Sequence, residues 1–125
     1  MQLLSRSIHT NGYDIDKKLI NRKIPLNFAD HTIEFLHICI PYSNNFIKII
    51  RNYVKKFQPR AIVIHSTIPP YTTEKLQRKL SIPVIYSATR GVHKRMLKDL
   101  KRYTKFYSLY DWSPNSNWAR RTFEK

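Results

Sequence analysis

Two apolar runs separated by one amphipathic segment constrain this fold more than any other feature of the sequence. The first run, Glu34 to Ile40, reads EFLHICI, and the second, Ala61 to His65, reads AIVIH. Both are nearly continuous rather than alternating in hydrophobicity, which is typical of strands buried on both faces of a parallel sheet. Each run leads into a loop marked by proline, Pro41 after the first and Pro69-Pro70 after the second. The pattern predicts a β-α-β unit.

The intervening segment predicts a helix that Ser43 or Asn44 caps and that ends near Phe57, before Gln58-Pro59. Its apolar residues recur at spacings of three and four and form one stripe, made of Phe46, Ile50, Tyr53, Val54 and Phe57. Weaker patterns predict a helix from Thr72 or Thr73 to Leu80, a strand at Pro83–Tyr86, a basic helix at Lys94–Arg102, a last strand at Tyr103–Leu109 and a helix at Ser116–Glu124.

Strands that alternate with helices over short connections predict one α/β domain, with a Rossmann-like, mainly parallel sheet flanked by helices. Residues 34–93 are its expected core, 1–33 an atypical N-terminal part, and 94–125 a basic helix, an edge strand and a terminal helix. In such sheets ligands lie beyond the carboxyl ends of the strands. Three loops are therefore expected to meet at that edge, namely Pro41–Asn45, Ser66–Thr73 and Ser87–His93.

The charge of the chain is strongly basic, with 23 Lys and Arg residues against 8 Asp and Glu residues and a net charge of +15. Such an excess favours nucleic acid, nucleotides or acidic membrane surfaces as partners, although a solvated basic surface without a partner also explains it. Around the densest stretch, Arg90 to Lys105, lie Tyr103, Phe106 and Tyr107, which is the composition of a surface for single-stranded nucleic acid. The aromatic residues also alternate as in a packed strand, and no known nucleic-acid-binding motif is present.

One cysteine, Cys39, cannot form an internal disulfide, and no Cys/His cluster has the spacing of a zinc site. Because it lies inside the first apolar run, Cys39 is expected to be a buried, inert thiol. No apolar run approaches the ~20 residues that span a bilayer, and the N-terminus lacks the pattern of a secretion signal. These features predict a cytoplasmic protein without a membrane span.

Polar side chains mark the expected ligand edge. Ser66, Thr67, Thr72 and Thr73 lie between the second strand and the next helix. Free N–H groups at a helix N-terminus attract phosphate, although plain capping by Thr72 or Thr73 accounts for these hydroxyls as well.

Histidine and arginine side chains are expected at the same edge. There His65, Arg90 and His93 would bind phosphate or act as acid and base, with Thr67 as a further catalytic candidate. The alternative for His65 is a structural histidine that only hydrogen-bonds its neighbours. The other histidines take part in no recognisable constellation, namely His9, His31 and His37.

The segments ICIPY, AIVIHSTIPPYTTEKL and VIYSATRGVH occur in an order and spacing that resemble the nucleotide-binding half of UDP-glucose/GDP-mannose dehydrogenases. The resemblance covers residues 34–93 and implies a nucleotide or nucleotide-sugar ligand, with NAD as the cofactor. By motif position, Pro41, Ser66 and Thr67 would line the nicotinamide side of the site. GYDID resembles the end of the second Rossmann strand, where Asp14 or Asp16 would bind the adenosine ribose. The alternative for Pro41 and Asp14 is ordinary turn chemistry.

Departures from the family pattern argue against complete dehydrogenase activity. With only two glycines, Gly12 and Gly91, the chain has no G-x-G-x-x-G loop that would bring backbone close to a pyrophosphate. Tyr71 stands at the position of the loop glycine in the family. Ala88 stands at the proline of its Ser-Pro-Glu-Arg motif and Thr89 at the glutamate, which has an acid–base role.

The family's catalytic cysteine lies in a further domain, and Cys39 does not replace it. The resemblance therefore implies a degenerate relative, truncated at the first βα unit, that binds a nucleotide without completing the reaction. It is also compatible with a subunit that another chain or a second copy completes. The alternative function is that of a basic nucleic-acid-binding or scaffolding module that reuses the fold.

Overall fold

The computed structural model describes residues 12–16, 18, 32–89, 94 and 96–125, in two compact units that comprise residues 1–31 and 32–125. In the first unit, the Asp14 carboxylate accepts the N–H of Asp16 at 2.9 Å, and the Asp16 carboxylate accepts the N–H of Lys18 at 2.9 Å. Such bonds from side chain to nearby backbone compete with regular structure. The predicted strand end at Tyr13–Asp16 is wrong, because these residues form no strand.

Three short parallel strands form the sheet of the second unit: β1 (Phe35–Ile38), β2 (Ala61–Ile64) and β3 (Val84–Tyr86). They lie in the order β1-β2-β3, with Phe35 opposite Ala61 and Ile62 opposite Val84. The predicted α/β class with a parallel sheet is confirmed. The sequential strand order is that of one half of a doubly wound sheet, which is consistent with a truncated Rossmann-like unit.

The helices of the described residues are α1 (Phe46–Phe57), α2 (Thr72–Gln77), α3 (Met96–Arg102) and α4 (Ser116–Phe123). Each falls where the sequence predicts a helix. The longest of them, α1, has 12 residues, and within the described ranges none combines the length and the apolar character that a bilayer crossing demands.

The predicted helix caps are displaced. Asn45 caps α1 and Tyr71 caps α2, in neither case with a hydrogen bond from the cap side chain, and Thr72 and Thr73 are instead the first residues of α2. The left-handed backbone of Tyr71, with φ of 64°, turns the chain into α2 one residue before the threonines. Capping by Thr72 or Thr73 is therefore wrong.

The predicted last strand at Tyr103–Leu109 is also wrong. Only one antiparallel bridge forms there, between Tyr86 and Ser108, with backbone hydrogen bonds of 2.9 and 2.8 Å. Next to this bridge, the Ser87 hydroxyl donates to the Phe106 carbonyl at 2.9 Å. The Ser87 side chain thus hydrogen-bonds to a carbonyl group that a longer strand would use for backbone pairing.

Helices α1 and α2 cover one face of the sheet. The buried cluster on this face consists of Ile38, Ile62, Ile64 and Val84 from the strands, Phe46 and Ile50 from α1, and Leu76 from α2. The apolar stripe predicted for α1 therefore faces the sheet. Burial of each large side chain contributes roughly 1.5–3 kcal/mol, so this layer fixes how the strands and the two helices pack.

Helix α4 covers the other face of the sheet. The cluster there consists of Val63, Ile85 and Ala119, with Phe35 and Trp118 among the side chains packed against it. The rings of Phe35 and Trp118 stack with centroids 5.6 Å apart, and the Arg60 guanidinium lies 3.9 Å from the Trp118 centroid. These contacts tie α4 to β1 and to the start of β2.

A buried glutamine at the end of α2 joins three segments of the chain. Gln77 is 2% exposed, and its Nε2 donates to the Ile82 carbonyl at 3.0 Å. Its Oε1 accepts the backbone N–H of Val84 at 2.8 Å and the hydroxyl of Ser113 at 2.8 Å. Gln77 therefore positions the start of β3 and the turn before α4.

We expect Gln77→Leu to lower the free energy of unfolding by roughly 2–3 kcal/mol, because the buried Val84 N–H and Ser113 hydroxyl lose their acceptor. Urea unfolding followed by circular dichroism measures the change. The control Asn52→Leu, on the exposed side of α1, should change stability by less than about 0.5 kcal/mol. Equal stability of Gln77→Leu and the parent chain would contradict the structural role of this glutamine.

Candidate functional site

The carboxyl ends of the three strands meet at one edge of the sheet, as the sequence predicts. The N–H of His65 donates to the Ile38 carbonyl at 2.9 Å, and the N–H of Ser87 donates to the Ile64 carbonyl at 2.9 Å. The N–H of Thr89 donates to the His65 carbonyl at 3.1 Å. The loops that follow β1, β2 and β3 therefore begin side by side.

Two histidines lie against each other at this edge. His37 is the third residue of β1 and His65 directly follows β2, and side-chain alternation puts both on the same face as Phe35 and Val63. The Nδ1 of His37 lies 2.8 Å from the Nε2 of His65, and the rings are nearly parallel, at an interplanar angle of 3°. His37 is exposed and His65 is half-buried.

A backbone carbonyl sets the direction of the hydrogen bond between the two rings. The Nδ1 of His65 lies 3.0 Å from the carbonyl oxygen of Ser87, which can only accept. The neutral His65 ring therefore carries its proton on Nδ1, and its Nε2 accepts the N–H that His37 carries on Nδ1. The Nε2 of His37 then has a lone pair and no proton, and no described residue hydrogen-bonds to it.

Lys105 brings a third basic group to the pair. Its Nζ lies 3.2 Å from the same Nδ1 of His65. A charged ammonium and a protonated ring nitrogen are both donors, so Nδ1 cannot accept from Lys105 while it donates to Ser87. We assign the proton to the bond with Ser87, because that carbonyl is nearer and its residue is held by backbone hydrogen bonding to Ile64. Lys105 thus lies beside the pair without a hydrogen bond to it.

Desolvation disfavours positive charge on all three groups, and the charge of Lys105 adds repulsion for the two histidines. Burial lowers the pKa of His65 to about 4, with smaller contributions from the charges of Lys105 and His37, while the bond to Ser87 opposes the shift. Burial, and then Lys105, lower the pKa of His37. Burial also lowers the pKa of Lys105. Within the described residues, no carboxylate contributes to any of these shifts.

Cys39 is exposed, so the expectation of a buried thiol is wrong. The strand β1 ends at Ile38, one residue earlier than burial of Cys39 would require. Desolvation still raises the pKa of the thiol, and the charge of Lys105 opposes this rise. The thiol is therefore protonated near neutral pH and is a weak nucleophile.

Three of the predicted site residues lie at the edge occupied by the histidine pair. The hydroxyl of Ser66 donates to the carbonyl of Ile40 and so fastens the loop after β2 to the loop after β1. Pro41, which follows Ile40, is exposed, as is Thr67. Pro41 and Thr67 are therefore accessible to a ligand, whereas the Ser66 hydroxyl is already engaged.

Of the remaining predicted site residues, two lie in α2, two belong to the first unit and two fall outside the described residues. Thr72 is buried and Thr73 half-buried inside α2, which has only six residues. Asp14 and Asp16 belong to the first unit, where their carboxylates hold turns. The last two candidates, Arg90 and His93, lie outside the described residues.

A cavity of about 200 Å³ lies between β3, α3 and the segment 103–108. Tyr86, Tyr103 and Tyr107 line it, together with Lys105 and with Asp99, which is 6% exposed. Because Lys105 belongs to the cavity wall and also lies beside His65, the cavity adjoins the histidine pair. Aromatic side chains and the side chain of Lys105 thus line one cavity.

His37 and Lys105 are the members of this site that the sequence analysis misses. A signal for His37 exists in principle, since His37 and His65 each lie near the end of an apolar run and parallel strands end at the same edge. Contact between them nevertheless depends on the register that sets Ile38 opposite Ile64. Lys105 has no such signal, because the single bridge between Tyr86 and Ser108 brings its segment to the sheet.

Comparisons with known proteins assign no function to this site. No family model, no curated protein and no solved structure matches the chain. The chemistry that the site supports therefore has to follow from the positions of its own residues.

Tyr71 stands where the resembled family has glycine, and its φ of 64° lies in the left-handed region. A side chain at such a φ costs roughly 1 kcal/mol, and Tyr71 is 72% exposed, so packing offsets little of this cost. We expect Tyr71→Gly to be more stable than Tyr71→Ala by about 1 kcal/mol in urea unfolding. At exposed Arg51 in the middle of α1, the glycine and alanine variants should show the opposite order. The same order at both positions would contradict the strain at Tyr71.

The lowered pKa of His65 makes the stability of the second unit depend on pH. The unfolded chain takes up a proton on this imidazole near pH 6.5, whereas the folded chain does so only at about pH 4. Between those values the unfolded state binds more protons, so the free energy of unfolding should fall as the pH drops. Urea unfolding at a series of pH values measures this fall, which His65→Gln should reduce. An identical pH dependence in the parent chain and in His65→Gln would contradict the assignment.

Proposed function

We propose that the second unit binds a nucleotide or a nucleotide-sugar at the carboxyl edge of its sheet, without complete dehydrogenase activity. The observation that carries the proposal is the cluster of His37, His65 and Lys105 at the ends of parallel strands, where sheets of this class bind their ligands. The resemblance to nucleotide-sugar dehydrogenases over residues 34–93 points to the same edge. NAD is the dinucleotide to test first, because that family uses it.

An anionic group is the ligand chemistry that this cluster favours. Burial lowers the pKa of His37, His65 and Lys105, and the positive charge of Lys105 lowers the two histidine values further. A negative charge placed beside them would attract Lys105 and would favour the protonated form of an imidazole. Phosphate supplies that charge, and its oxygens accept strong hydrogen bonds from ammonium and imidazolium groups.

The adjoining cavity supports a ligand larger than phosphate alone. Tyr86 and Tyr103 offer aromatic surface for a base. Lys105 borders both the cavity and the histidine pair, so one ligand can reach both. At about 200 Å³ the cavity is smaller than the roughly 300–1,000 Å³ of common ligand pockets, which suits one base or one sugar rather than a whole dinucleotide.

The proposal leaves out hydride transfer for two reasons. The two isolated glycines, Gly12 and Gly91, cannot build the loop with which dinucleotide-binding sheets approach a pyrophosphate. Thr89 stands where the resembled family has its acid–base glutamate, and a hydroxyl group does not exchange protons near neutral pH as a carboxylate does. Binding without turnover is therefore the activity we infer.

Binding of single-stranded nucleic acid is a second candidate, favoured by the aromatic residues on either side of Lys105. Tyr103 is 48% exposed and Phe106 is 65% exposed, and the chain carries a net charge of +15. Tyr107 differs from these two residues, because it packs against Phe123 with ring centroids 5.3 Å apart. Tyr103 and Phe106 are therefore the aromatic residues of this segment that are exposed to solvent. Exposed rings between lysines can stack bases while the lysines follow the phosphates.

Thermal unfolding with AMP, NAD, UDP-glucose or GDP-mannose tests the first candidate. We expect at least one of them, at millimolar concentration, to raise the unfolding temperature, since a ligand that binds only the folded state stabilises it. Lys105→Gln should weaken this binding roughly tenfold to hundredfold, because a charge-assisted hydrogen bond contributes roughly 1.5–3 kcal/mol. Lys55→Gln, at an exposed position in the last turn of α1, removes the same charge at the end of the helix opposite to this edge and should leave binding unchanged.

An absence of any shift, or equal losses in the two lysine variants, would contradict nucleotide binding at this edge. A labelled single-stranded oligonucleotide separates the second candidate from the first. If nucleic acid is the ligand, its affinity falls steeply with salt concentration and Phe106→Ala weakens it. Mononucleotide binding should depend much less on salt concentration, since it involves far fewer phosphate contacts.

A further inference from the structure

The two histidine rings form a hydrogen-bonded chain with a single direction, because both rings donate toward the Ser87 carbonyl. His37 donates from Nδ1 to His65, and His65 donates from Nδ1 to the Ser87 carbonyl. The last nitrogen of this chain, the Nε2 of His37, therefore presents a lone pair. A lone pair repels the oxygen atoms of phosphate, so the neutral pair is not by itself a complementary surface for an anion.

Protonation of His37 would change this without breaking a hydrogen bond of the chain. An imidazolium ring carries two N–H groups, so Nδ1 continues to donate to His65 while Nε2 becomes a donor for an anion. A second proton on His65 would instead occupy its Nε2 and face the N–H of His37 across 2.8 Å. The geometry therefore directs an added proton to His37.

Building on the proposed function, we propose that the phosphate group of the ligand binds between His37 and Lys105, and that its binding takes up one proton on the Nε2 of His37. Lys105 is the second donor, because its Nζ lies 3.2 Å from His65 and has no carboxylate partner among the described ion pairs. The phosphate group supplies the neighbouring negative charge that no described carboxylate supplies to His37 or Lys105. Ligand affinity should therefore rise as the pH falls.

The groups around His37 set the direction of this pH dependence. Lys105 from the segment 103–108 opposes the protonation of His37, and His65 after β2 accepts its hydrogen bond. Cys39, just beyond β1, is uncharged near neutral pH because desolvation raises the pKa of its thiol. Phe35, which packs against α4, contacts the His37 ring and carries no charge, and α4 itself contributes nothing to the pKa of His37.

The opposite arrangement of protons leads to a different result. If Lys105 donated to the Nδ1 of His65, both rings would reverse their tautomers, and the Nε2 of His37 would already carry a proton in the free chain. An anion would then bind without proton uptake. Counting protons therefore distinguishes the two arrangements.

Sulfate is the probe for this test, because it remains a dianion across the whole pH range and releases no proton of its own. The imidazole signals of the full chain are followed by NMR over pH, with and without saturating sulfate, and His37→Gln assigns the His37 signal. We expect sulfate to raise the pKa of His37 by about one unit, so that sulfate binding weakens on the order of tenfold as the pH rises through the free and the sulfate-bound pKa of this ring. Lys105→Gln should weaken sulfate binding at every pH, and Lys55→Gln should not.

Calorimetry of the unaltered chain, in buffers of different ionisation enthalpy, counts the protons without any variant. With a pKa shift of about one unit, uptake should reach about half a proton per sulfate, at the pH midway between the free and the sulfate-bound pKa of His37. A count of zero, or full sulfate affinity in His37→Gln, overturns the proposal, and nucleotide binding can still stand. A raised pKa of His37 in sulfate, with no nucleotide affecting the unfolding temperature, instead supports the anion site and contradicts the proposed function.

Discussion

The structure of the second unit depends on burial of its central strand, β2. All four of its residues, Ala61–Ile64, are completely buried, so both faces of the sheet have to be covered. Helices α1 and α2 cover one face, and α4 covers the other. Because β1 and β3 pair with β2 in the parallel sense, the residue that leaves the end of β2 is placed between two other strand ends. That residue is His65, and its surroundings follow from the sheet rather than from a dedicated loop.

The burial of β2 also explains why the pKa of the basic group at its end is lowered. His65 lies directly beyond the buried strand, where desolvation disfavours a charged ring, and Lys105 adds repulsion. The sheet thus places basic side chains together and at the same time makes their positive charge unfavourable. Perturbed groups of this kind at a strand edge are typical of functional sites, since a ligand of the right charge can reverse the perturbation. A structural histidine would account for the bond to Ser87 but not for the nearby ammonium group.

The parts of the fold that the sequence predicts are those whose signal is local. Continuous apolar runs predict β1 and β2, and a stripe at spacings of three and four predicts α1, because burial imposes these periods within a few residues. The cap of α2 is missed, since it depends on the left-handed backbone of Tyr71 rather than on a threonine side chain. The strand predicted at Tyr103–Leu109 is wrong because a side chain of another segment, Ser87, takes up its carbonyl group. The site is harder still to predict, since His37 meets His65 through strand register and Lys105 arrives through one bridge.

Under the proposed function, the scarcity of glycine means that this edge has to hold phosphate by other means than a glycine-rich loop. A glycine-rich loop binds pyrophosphate with backbone N–H groups at a helix N-terminus, and those donors do not titrate. Here the helix that follows β2 at this edge, α2, has six residues, begins after Tyr71, and has its first threonine, Thr72, buried. Under the proposed function, donors have to come from side chains, and the available ones are an ammonium group and an imidazole. The Nε2 of His37 donates only when this ring is protonated, and Lys105 carries its charge only as an ammonium group. Under the proposed function, a site that binds phosphate through these side chains therefore depends on pH, whereas one that binds it through backbone N–H groups does not.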